Sequence, residues 1–376
     1  MNGYDRRHFL TSAISASAFS VAVPWLQPRA TAAGQARQRI KVGQIGIGHN
    51  HASAKMATFR KLADQYEVVG VVEPDSEGRK KRGHDPAYRD LSWMTEEQLL
   101  NTKGLTVVAV ETDVRDLVPT AARCIAAGMH LHLDKPGGES LAPFKQLLDE
   151  AGRRNLAVQM GYMYRNNPAV QFCLRAVSEG WLGQVFEVHS VMSLQQPLAY
   201  RQWLAQFRGG TMYIFGCHLI DLVVRMLGKP DRVAPFQRQT QPEVKVYDNG
   251  LAVLEYPQAT ATIRTAALEV EGYRRRQLVV CGDEGTIDIR PLETFDTGPA
   301  QPLKLRLALS KPRDSYKKGY QEVVFPPMPG RYDEQLLELA RIVRGEIANP
   351  YPLAHELMVQ ETLLAAIDHP RVNSTQ

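Results

Sequence analysis

Short apolar runs alternate with amphipathic segments along the first half of the chain. The apolar runs predict buried strands over residues 40–47, 66–72, 106–110, 129–133 and 156–160. Between them, apolar residues recur at helical spacing and predict helices over residues 52–63, 118–127 and 141–153. Strands that alternate with helices in this way form a parallel sheet joined by right-handed crossovers. We therefore expect a doubly wound α/β domain here.

The hydrophobic pattern changes after Gly161. Helical spacing predicts helices over residues 168–179 and 210–227, with a strand between them at 184–192. Strand-like segments separated by glycine, proline and aspartate turns follow from residue 232 to 289, among them 252–256, 260–266, 277–280 and 285–289. Two predicted helices, 333–344 and 355–367, end the pattern. This order predicts an α+β domain with an open, mostly antiparallel sheet.

The first 33 residues have the features of a twin-arginine signal peptide. The pair Arg6-Arg7 precedes an apolar stretch over residues 12–25, and small residues at 30–33 suit a signal peptidase. The alternative is an amphipathic N-terminus with a chance arginine pair. The signal interpretation predicts export, to the periplasm or beyond, of a protein that is already folded. The expected organisation is a signal at 1–33, a dinucleotide-binding domain at 39–160 and a substrate-binding and oligomerisation domain at 161–376, whose last helices pack back on the first domain.

Composition supports two ordinary globular cores. The chain has 376 residues, of which 44% are hydrophobic and 23% charged, and single cores stop growing near about 250–300 residues. The formal charge of +5 is spread along the sequence, so nothing indicates a nucleic-acid partner. Outside the signal, no apolar run approaches the roughly 20 residues of a membrane helix, so we expect no membrane span in the mature chain.

The four cysteines are far apart, and their spacing matches no metal motif; they are Cys124, Cys173, Cys217 and Cys281. We expect buried free thiols rather than disulfides, because a chain that folds in the cytosol matures reduced. We also expect no metal site.

A glycine loop follows the first predicted strand and opens the first helix. In the segment Gly46-Ile47-Gly48-His49-Asn50-His51, the first glycine permits a tight turn. The second lets backbone N–H groups approach a pyrophosphate at the helix N-terminus. His51 stands where a dinucleotide fingerprint has its third glycine, which implies a slightly wider approach of helix and strand. The placement between strand and helix indicates a Rossmann domain.

Glu73 ends the second predicted strand, where an acidic side chain can accept hydrogen bonds from both ribose hydroxyls and repel a 2′-phosphate. This position favours NAD over NADP. Arg79, Lys80 and Lys81 follow, and they could bind a 2′-phosphate instead. The favoured interpretation is that they are solvated helix residues.

Two further segments carry candidate chemistry. Lys135 follows the strand at 129–133, at a carboxyl end where open α/β sheets gather catalytic groups, and a partly desolvated lysine can exchange protons near neutrality. His218 and Asp221 are three residues apart on one predicted helix, so the carboxylate could orient the imidazole. The alternative for His218 is a structural histidine.

Taken together, these segments resemble the Gfo/Idh/MocA family, the group that contains glucose–fructose oxidoreductase and inositol dehydrogenase. The resemblance covers the mature chain. It rests on the glycine loop at Gly46, on Asp134-Lys135-Pro136 in place of the family's Glu-Lys-Pro, on the linker at 161–168, and on the segment from Gly209-Gly210 to Gly216-Cys217-His218 and Asp221. It implies a Rossmann domain followed by a mostly antiparallel sheet whose exposed face forms oligomers.

The resemblance also implies roles for individual residues. Lys135 would lie beside the nicotinamide and substrate, His218 would be the acid/base on the reacting hydroxyl, Tyr164 would face the substrate and Arg165 the cofactor. The predicted cofactor-binding residues are Gly46, Gly48, His49, Asn50, Glu73, Glu111, Thr112, Lys135 and Arg165. The predicted catalytic residues are Lys135 and His218, and the predicted substrate-binding residues are Tyr164, His218 and Trp203.

Two positions depart from the family pattern. Many of its dehydrogenases carry an aspartate four residues before the histidine, where this chain has Ile214. Asp221 lies on the other side of the histidine, so it is not a direct replacement. The loop after residues 106–110 reads Glu111-Thr112-Asp113-Val114 instead of the usual Thr-Pro-Asn.

The expected function is NAD-dependent oxidation or reduction of a hydroxyl on a sugar, cyclitol or glycoside. Export away from the nicotinamide pool favours a tightly held cofactor and a redox-neutral cycle. Transient oxidation followed by elimination of a glycosidic bond is an alternative. A second alternative is a non-catalytic binding protein that retains the dinucleotide, which Ile214 keeps open.

Overall fold

The computed structural model describes residues 38–295 and 301–368 of the chain. Its first sheet has five parallel strands in the order β2-β1-β3-β4-β5. The strands are β1 (Ile40–Ile45), β2 (Tyr66–Val72), β3 (Leu105–Val110), β4 (His130–Leu133) and β5 (Val158–Met160). All five lie where the apolar runs predicted them, and their central positions are buried because helices cover both faces.

Helices connect these strands. They are α1 (Ala52–Lys61), α2 (Ser76–Arg82), α3 (Glu96–Leu100), α4 (Leu117–Ala126) and α5 (Leu141–Arg153). The hydrophobic pattern predicted α1, α4 and α5. The short α2 buries no residue, so it has no apolar stripe to predict it; Asp75 caps it by accepting hydrogen bonds from two backbone N–H groups.

The second sheet has eight strands in the order β13-β12-β11-β10-β6-β9-β8-β7. They are β6 (Val185–Ser193), β7 (Arg232–Arg238), β8 (Asn249–Glu255), β9 (Thr260–Ala266), β10 (Gln277–Gly282), β11 (Gly285–Ile289), β12 (Leu303–Leu309) and β13 (Gly319–Phe325). Only β6 and β9 pair in parallel, which confirms the predicted mostly antiparallel sheet. The outer strands β12 and β13 lie beyond the predicted strand region.

Five more helices follow α5 in the described residues: α6 (Pro168–Ser178), α7 (Leu198–Leu204), α8 (Cys217–Leu227), α9 (Asp333–Val343) and α10 (Leu353–Ile367). A π-helical turn, Met212–Gly216, leads directly into α8. Helix α9 packs on the first sheet, where the Tyr66 hydroxyl donates to the Leu336 carbonyl at 2.6 Å and Leu339 joins a cluster with Val107. The domain boundary at 160/161 stays a prediction, because hydrophobic packing is continuous across it.

The described residues contain no helix both long enough and apolar enough to cross a membrane. All four cysteines are free, and Cys281 alone is partly exposed. Residues 1–33, predicted to be a signal peptide, lie outside the described residues.

Candidate active site

The glycine loop lies tightly against the loop that follows β3. Gly46 has φ of +89°, and a Cβ there would stand 2.5 Å from the Thr112 Cα. A Cβ on Gly48 would stand 3.0 Å from the Asp113 nitrogen. The His49 N–H donates to the Glu111 carbonyl at 3.0 Å and fixes the loop in place. Gly46 is therefore required by its backbone conformation and by the close approach of Thr112, and Gly48 leaves little room for a side chain.

A cavity of about 640 Å³ lies on one side of this loop. Gly48, Glu73 and Thr112 line it, as predicted cofactor-binding residues. The Glu73 carboxylate accepts hydrogen bonds from the Ile47 N–H at 2.8 Å and the Asp75 N–H at 2.9 Å. These bonds hold it at the end of β2, and each carboxylate oxygen keeps a lone pair for a further donor.

The three basic residues that follow Glu73 have different environments. Arg79 stacks over the Trp93 ring at 4.3 Å, and Lys80 pairs with Glu77 at 2.7 Å. Lys81 alone of the three lines the cavity.

A buried charge network lies beneath the glycine loop. The Lys55 ammonium, on α1, is 3.0 Å from Glu111 Oε1 and 2.5 Å from Asp134 Oδ2, and all three side chains are fully buried. Burial opposes the charge on Lys55, yet Asp134 and Glu111 raise its pKa. Burial and the nearby Asp134 raise the pKa of Glu111, whereas His49 and Lys55 lower that of Asp134 despite its burial. Asp134 therefore carries the negative charge, and Glu111 holds a proton more readily.

Two histidines of the glycine loop converge on the same Asp134 oxygen. The Nδ1 atoms of His49 and His51 are 3.1 and 3.2 Å from Asp134 Oδ2. Burial lowers the pKa of His51 to about 3 and also lowers that of His49, so both rings are neutral near neutral pH. The side chain at the third-glycine position thus contacts the buried Asp134. Sequence reasoning missed this network because it depends on contacts between distant segments.

Two clusters of the described residues place three metal-ligating side chains close together: His49, His51 and Asp134, and Asp221, His355 and Glu356. A protein cation already pairs with the carboxylates in each, Lys55 in the first and Arg165 in the second. The expectation of no metal site stays a prediction.

A second cavity, of about 300 Å³, lies at the other end of the loop. Five of the residues predicted to bind cofactor or substrate meet there, namely His49, Asn50, Lys135, Trp203 and His218. Tyr200 and Phe215 extend its aromatic wall beside Trp203, with the Tyr200 and Trp203 ring centres 5.1 Å apart.

His218 begins the first turn of α8 and is 1% exposed. Its ring lies edge-on to Tyr162 at 5.9 Å and to Tyr164 at 5.7 Å, and its Nδ1 is buried without a hydrogen-bond partner in the described structure. Burial, followed by the charge of Lys135, lowers the pKa of His218 well below its usual value. The imidazole is therefore neutral near pH 7 and can accept a proton.

The π-helical turn before α8 compensates in part for the missing family aspartate. Lys135 Nζ lies 3.4 Å from the backbone carbonyl oxygen of Ile214, the residue that stands in the aspartate's place. Turns of this kind are frequent at functional sites because they alter the regular backbone hydrogen bonding. The main chain of Ile214 thus offers Lys135 an acceptor that its side chain does not.

Arg165 and Asp221 have other partners than the sequence predicted. The Arg165 guanidinium is buried and binds Asp221 at 2.6 Å and Glu356 at 2.7 Å, and it is absent from the described residues that line the two cavities. Asp221 also accepts from His355 at 2.9 Å. The idea that Asp221 orients His218 is therefore wrong; Asp221 joins a buried cluster that ties α8 to α10.

Tyr164 and Glu111 are not among the described residues that line the two cavities, but both contact residues that do. The Tyr164 hydroxyl donates to Glu293 at 2.8 Å while its ring packs near His218, and Glu111 supports the glycine loop through its carbonyl and Lys55.

This arrangement fits an extended dinucleotide. Gly48 lines the first cavity and His49 the second, so the glycine loop passes between them. Glu73 lies in the first cavity, suited to a ribose diol, and Lys135 and His218 lie in the second, suited to acid–base chemistry. The fold and site thus define a dinucleotide-binding oxidoreductase with a second cavity beside the glycine loop.

Comparison with known families agrees with this assignment. Residues 40–162 match the oxidoreductase family with an NAD-binding Rossmann fold, and residues 170–288 match the GFO/IDH/MocA C-terminal domain. The chain belongs to the Gfo/Idh/MocA oxidoreductase family.

Several relatives are similar in sequence. The uncharacterized oxidoreductase YhhX of Escherichia coli is 27% identical over 244 residues, which are 64% of this chain and 69% of that protein. Levoglucosan dehydrogenase of Pseudarthrobacter phenanthrenivorans is 23% identical, covering 51% of this chain and 52% of its own. The NADP-dependent scyllo-inositol 2-dehydrogenase IolW of Bacillus subtilis is 21% identical, covering 60% and 62%.

Solved structures share the fold. The crystal structure of YhhX superposes with a TM-score of 0.72 at 21% identity, over 88% of this chain and 97% of that one. GenD2 from gentamicin A biosynthesis, in complex with NAD, gives a TM-score of 0.69 at 21% identity, over 91% and 96%.

Proposed function

We propose that this protein transfers a hydride between NAD and a hydroxyl-bearing carbon of a sugar, cyclitol or glycoside. The observation that carries the proposal is the meeting of Lys135 and His218 in a cavity that also holds the end of the glycine loop. Two relatives are named as dehydrogenases of levoglucosan and of scyllo-inositol, which supports a substrate of this class.

The chain's own residues would supply binding and proton transfer. NAD, when bound, provides the hydride acceptor. In the oxidation direction, His218 takes the proton of the reacting hydroxyl. Burial and the charge of Lys135 lower the pKa of its imidazole, which keeps the ring unprotonated near pH 7. Lys135 donates a hydrogen bond to the same substrate oxygen and stabilises the negative charge that develops there.

Catalysis is favoured over a purely binding role by the environment of Lys135. A chain that had lost its chemistry would have no need to retain both Lys135 and His218 in one cavity. The Ile214 carbonyl accepts from Lys135 Nζ, so loss of the family aspartate does not leave the ammonium without a local acceptor.

We propose NAD rather than NADP as the cofactor. Glu73 lines the first cavity, and an acidic side chain at the end of this strand can accept hydrogen bonds from both ribose hydroxyls and repel a 2′-phosphate. Arg79 and Lys80 are engaged elsewhere, which supports their interpretation as surface residues. Calorimetry with both cofactors tests this: NAD should bind far more tightly, and equal affinities would overturn the assignment.

We further propose that the protein is exported after folding, with the cofactor already bound. The support is the Arg6-Arg7 pair and the apolar and small residues behind it. A compartment without a nicotinamide pool makes cofactor exchange unproductive, so each hydride taken from a substrate must return to a product or second substrate. Transient oxidation with glycoside elimination is one such cycle.

The test is to dialyse the mature protein exhaustively and assay sugar pairs and glycosides without added NAD. The closed cycle predicts turnover under these conditions. Steady consumption of free NAD, with a matching rise in free NADH, would refute the closed cycle and leave the dehydrogenase in place.

The exposed face of the second sheet is our proposed oligomer interface. Phe186, Phe236, Tyr320 and Val324 lie on strands of this sheet and are each about half exposed or more. They are spread over β6, β7 and β13, and exposed large apolar side chains on one sheet are typical of association sites. Light scattering of the purified protein should show more than one chain per particle, and Tyr320→Glu should lower that number.

A further inference from the structure

The charged side chains that line the second cavity all have the same sign. They are Lys135, Arg276 and Arg331, and no carboxylate is among the described lining residues. The three histidines that line it are held neutral by burial. A neutral sugar would need no such excess of positive charge, because hydroxyl groups are satisfied by uncharged donors and acceptors.

Arg276 is the most informative of these cations. It directly follows the 3₁₀ turn Gly272–Arg275 and leads into β10, and its side chain is 5% exposed. The guanidinium stacks over the Tyr273 ring at 4.4 Å, which holds its plane fixed. Its Nε is buried and forms no hydrogen bond in the described structure. An unsatisfied buried donor of this kind is costly unless a ligand or water pairs with it.

The protein carboxylate nearest to Arg276 is already shared. Glu293 accepts from Arg276, from the Tyr164 hydroxyl at 2.8 Å, and from Arg331 at 3.0 Å. Glu293 is 2% exposed and is not among the described residues that line the cavity, so a single buried carboxylate is shared by two guanidiniums.

Arg276 also lies close to the proton-transfer residue. Tyr164 links the two, because its hydroxyl binds Glu293 and its ring is 5.7 Å from His218. The charge of Arg276 contributes to lowering the pKa of His218, after burial and Lys135. A small ligand in this cavity of about 300 Å³ can therefore touch His218 and Arg276 at once.

We propose that the substrate carries a carboxylate, and that Arg276 and Arg331 bind this carboxylate while His218 and Lys135 engage the reacting hydroxyl. The planar guanidinium matches a carboxylate in geometry as well as charge. The substrate class is then a sugar acid, with its ring or chain against the aromatic wall of Tyr200 and Trp203. This inference rests on the proposed dehydrogenase function and specifies its substrate.

The experiment compares matched acids and neutral sugars. Binding of D-glucuronate, D-galacturonate and D-gluconate is measured by calorimetry on the NAD-loaded protein, beside D-glucose, D-galactose and glucose 6-phosphate, and reduction of NAD is followed separately. At least one acid should bind tenfold or more tightly than its neutral counterpart. Arg276→Gln should weaken that acid by about tenfold to a hundredfold, as expected for loss of hydrogen bonds between charged groups.

Arg275→Gln is the matched control. It removes the same charge from the adjacent residue, whose guanidinium pairs with Glu269 and is not among the residues that line the cavity. Acid binding should be unchanged in this variant. Glu293→Gln gives a second test that keeps both arginines: acid binding should strengthen, because the competing carboxylate is gone.

Equal binding of acids and neutral sugars, binding of the phosphate ester alone, or equal losses in Arg276→Gln and Arg275→Gln would each overturn the carboxylate site. Acid binding that depends on Arg276 but produces no reduced nicotinamide would support the site and refute the dehydrogenase function. Reduction of NAD by neutral sugars alone would support the dehydrogenase function and refute the carboxylate site.

Discussion

Replacing Lys55 by methionine should destabilise the protein through the network beneath the glycine loop. Methionine keeps much of the volume and removes the ammonium that bridges Glu111 and Asp134. Two buried carboxylates then face each other, with only the neutral rings of His49 and His51 beside Asp134.

The size of the effect follows from burial. Removing one partner of a buried ion pair costs about 3–5 kcal/mol, because the remaining charge is left uncompensated. The same substitution at Lys145 is the control, since Lys145 forms an exposed pair with Asp149 at 2.6 Å on α5. Exposed pairs of this kind contribute about 0.3–0.5 kcal/mol.

The deficit in the free energy of unfolding should depend on pH in a defined direction. Without Lys55, burial still raises the folded-state pKa of Glu111 and a cause that lowers it is lost, so the ionised carboxylate pair destabilises the variant at neutral pH. This penalty is relieved as pH falls through the raised pKa and the carboxylate takes up a proton. The deficit relative to wild type should therefore shrink between about pH 7.5 and about pH 5.

Urea unfolding at both pH values, followed by circular dichroism, measures these differences. Comparison with wild type at the same pH cancels the contribution of other titrating groups. A deficit in Lys55→Met no larger than that in Lys145→Met, or one that grows on acidification, would refute the account of the network.

Three further outcomes are expected. Glu73→Ala should weaken NAD binding by about tenfold or more in calorimetry, through loss of hydrogen bonds to a charged acceptor; an unchanged Kd would remove Glu73 from the cofactor site. Gly46→Ala should lower Tm and cofactor content together, because φ at this residue is +89° and the new Cβ would meet Thr112 at 2.5 Å. A normal cofactor content in this variant would contradict the prediction. His218→Ala and Lys135→Ala should each reduce turnover by about 10²–10⁴-fold with cofactor retained. Wild-type turnover should persist below pH 6.5, since the pKa of His218 is lowered. Full activity of His218→Ala would return that residue to a structural role.

The strands of the first sheet were predictable because their signal is local. Each is a short, mostly apolar run bounded by turns and largely buried, and the crossover rule then fixes a parallel sheet. The positions of Gly46 and Glu73 were also predictable, since Gly46 directly follows β1 and Glu73 directly follows β2.

The outer strand β12 of the second sheet carries a strand signal of its own, although it lies beyond the predicted strand region at 232–289. Leu303, Leu305, Leu307 and Leu309 alternate with exposed Lys304 and Arg306, which is the period of a half-buried strand. The sequence signal for strand β13 is weaker, because its outward positions are exposed at the edge of the sheet.

Long-range partners were not predictable from spacing. His218 and Asp221 share a helix, yet Asp221 binds Arg165 and His355, which lie 56 and 134 residues away. The same is true of Arg276, which lines the second cavity from a turn before β10. Tertiary packing decides these contacts, and sequence separation gives no guide to them.

The central claim is that the glycine loop and the cavity of Lys135 and His218 together hold one NAD for hydride transfer. Mass spectrometry of the small molecule released from the folded, dialysed protein tests it most directly. The account predicts about one NAD per chain, reduced in part when substrate has been present. Protein that releases no dinucleotide and binds none when NAD is supplied would contradict it.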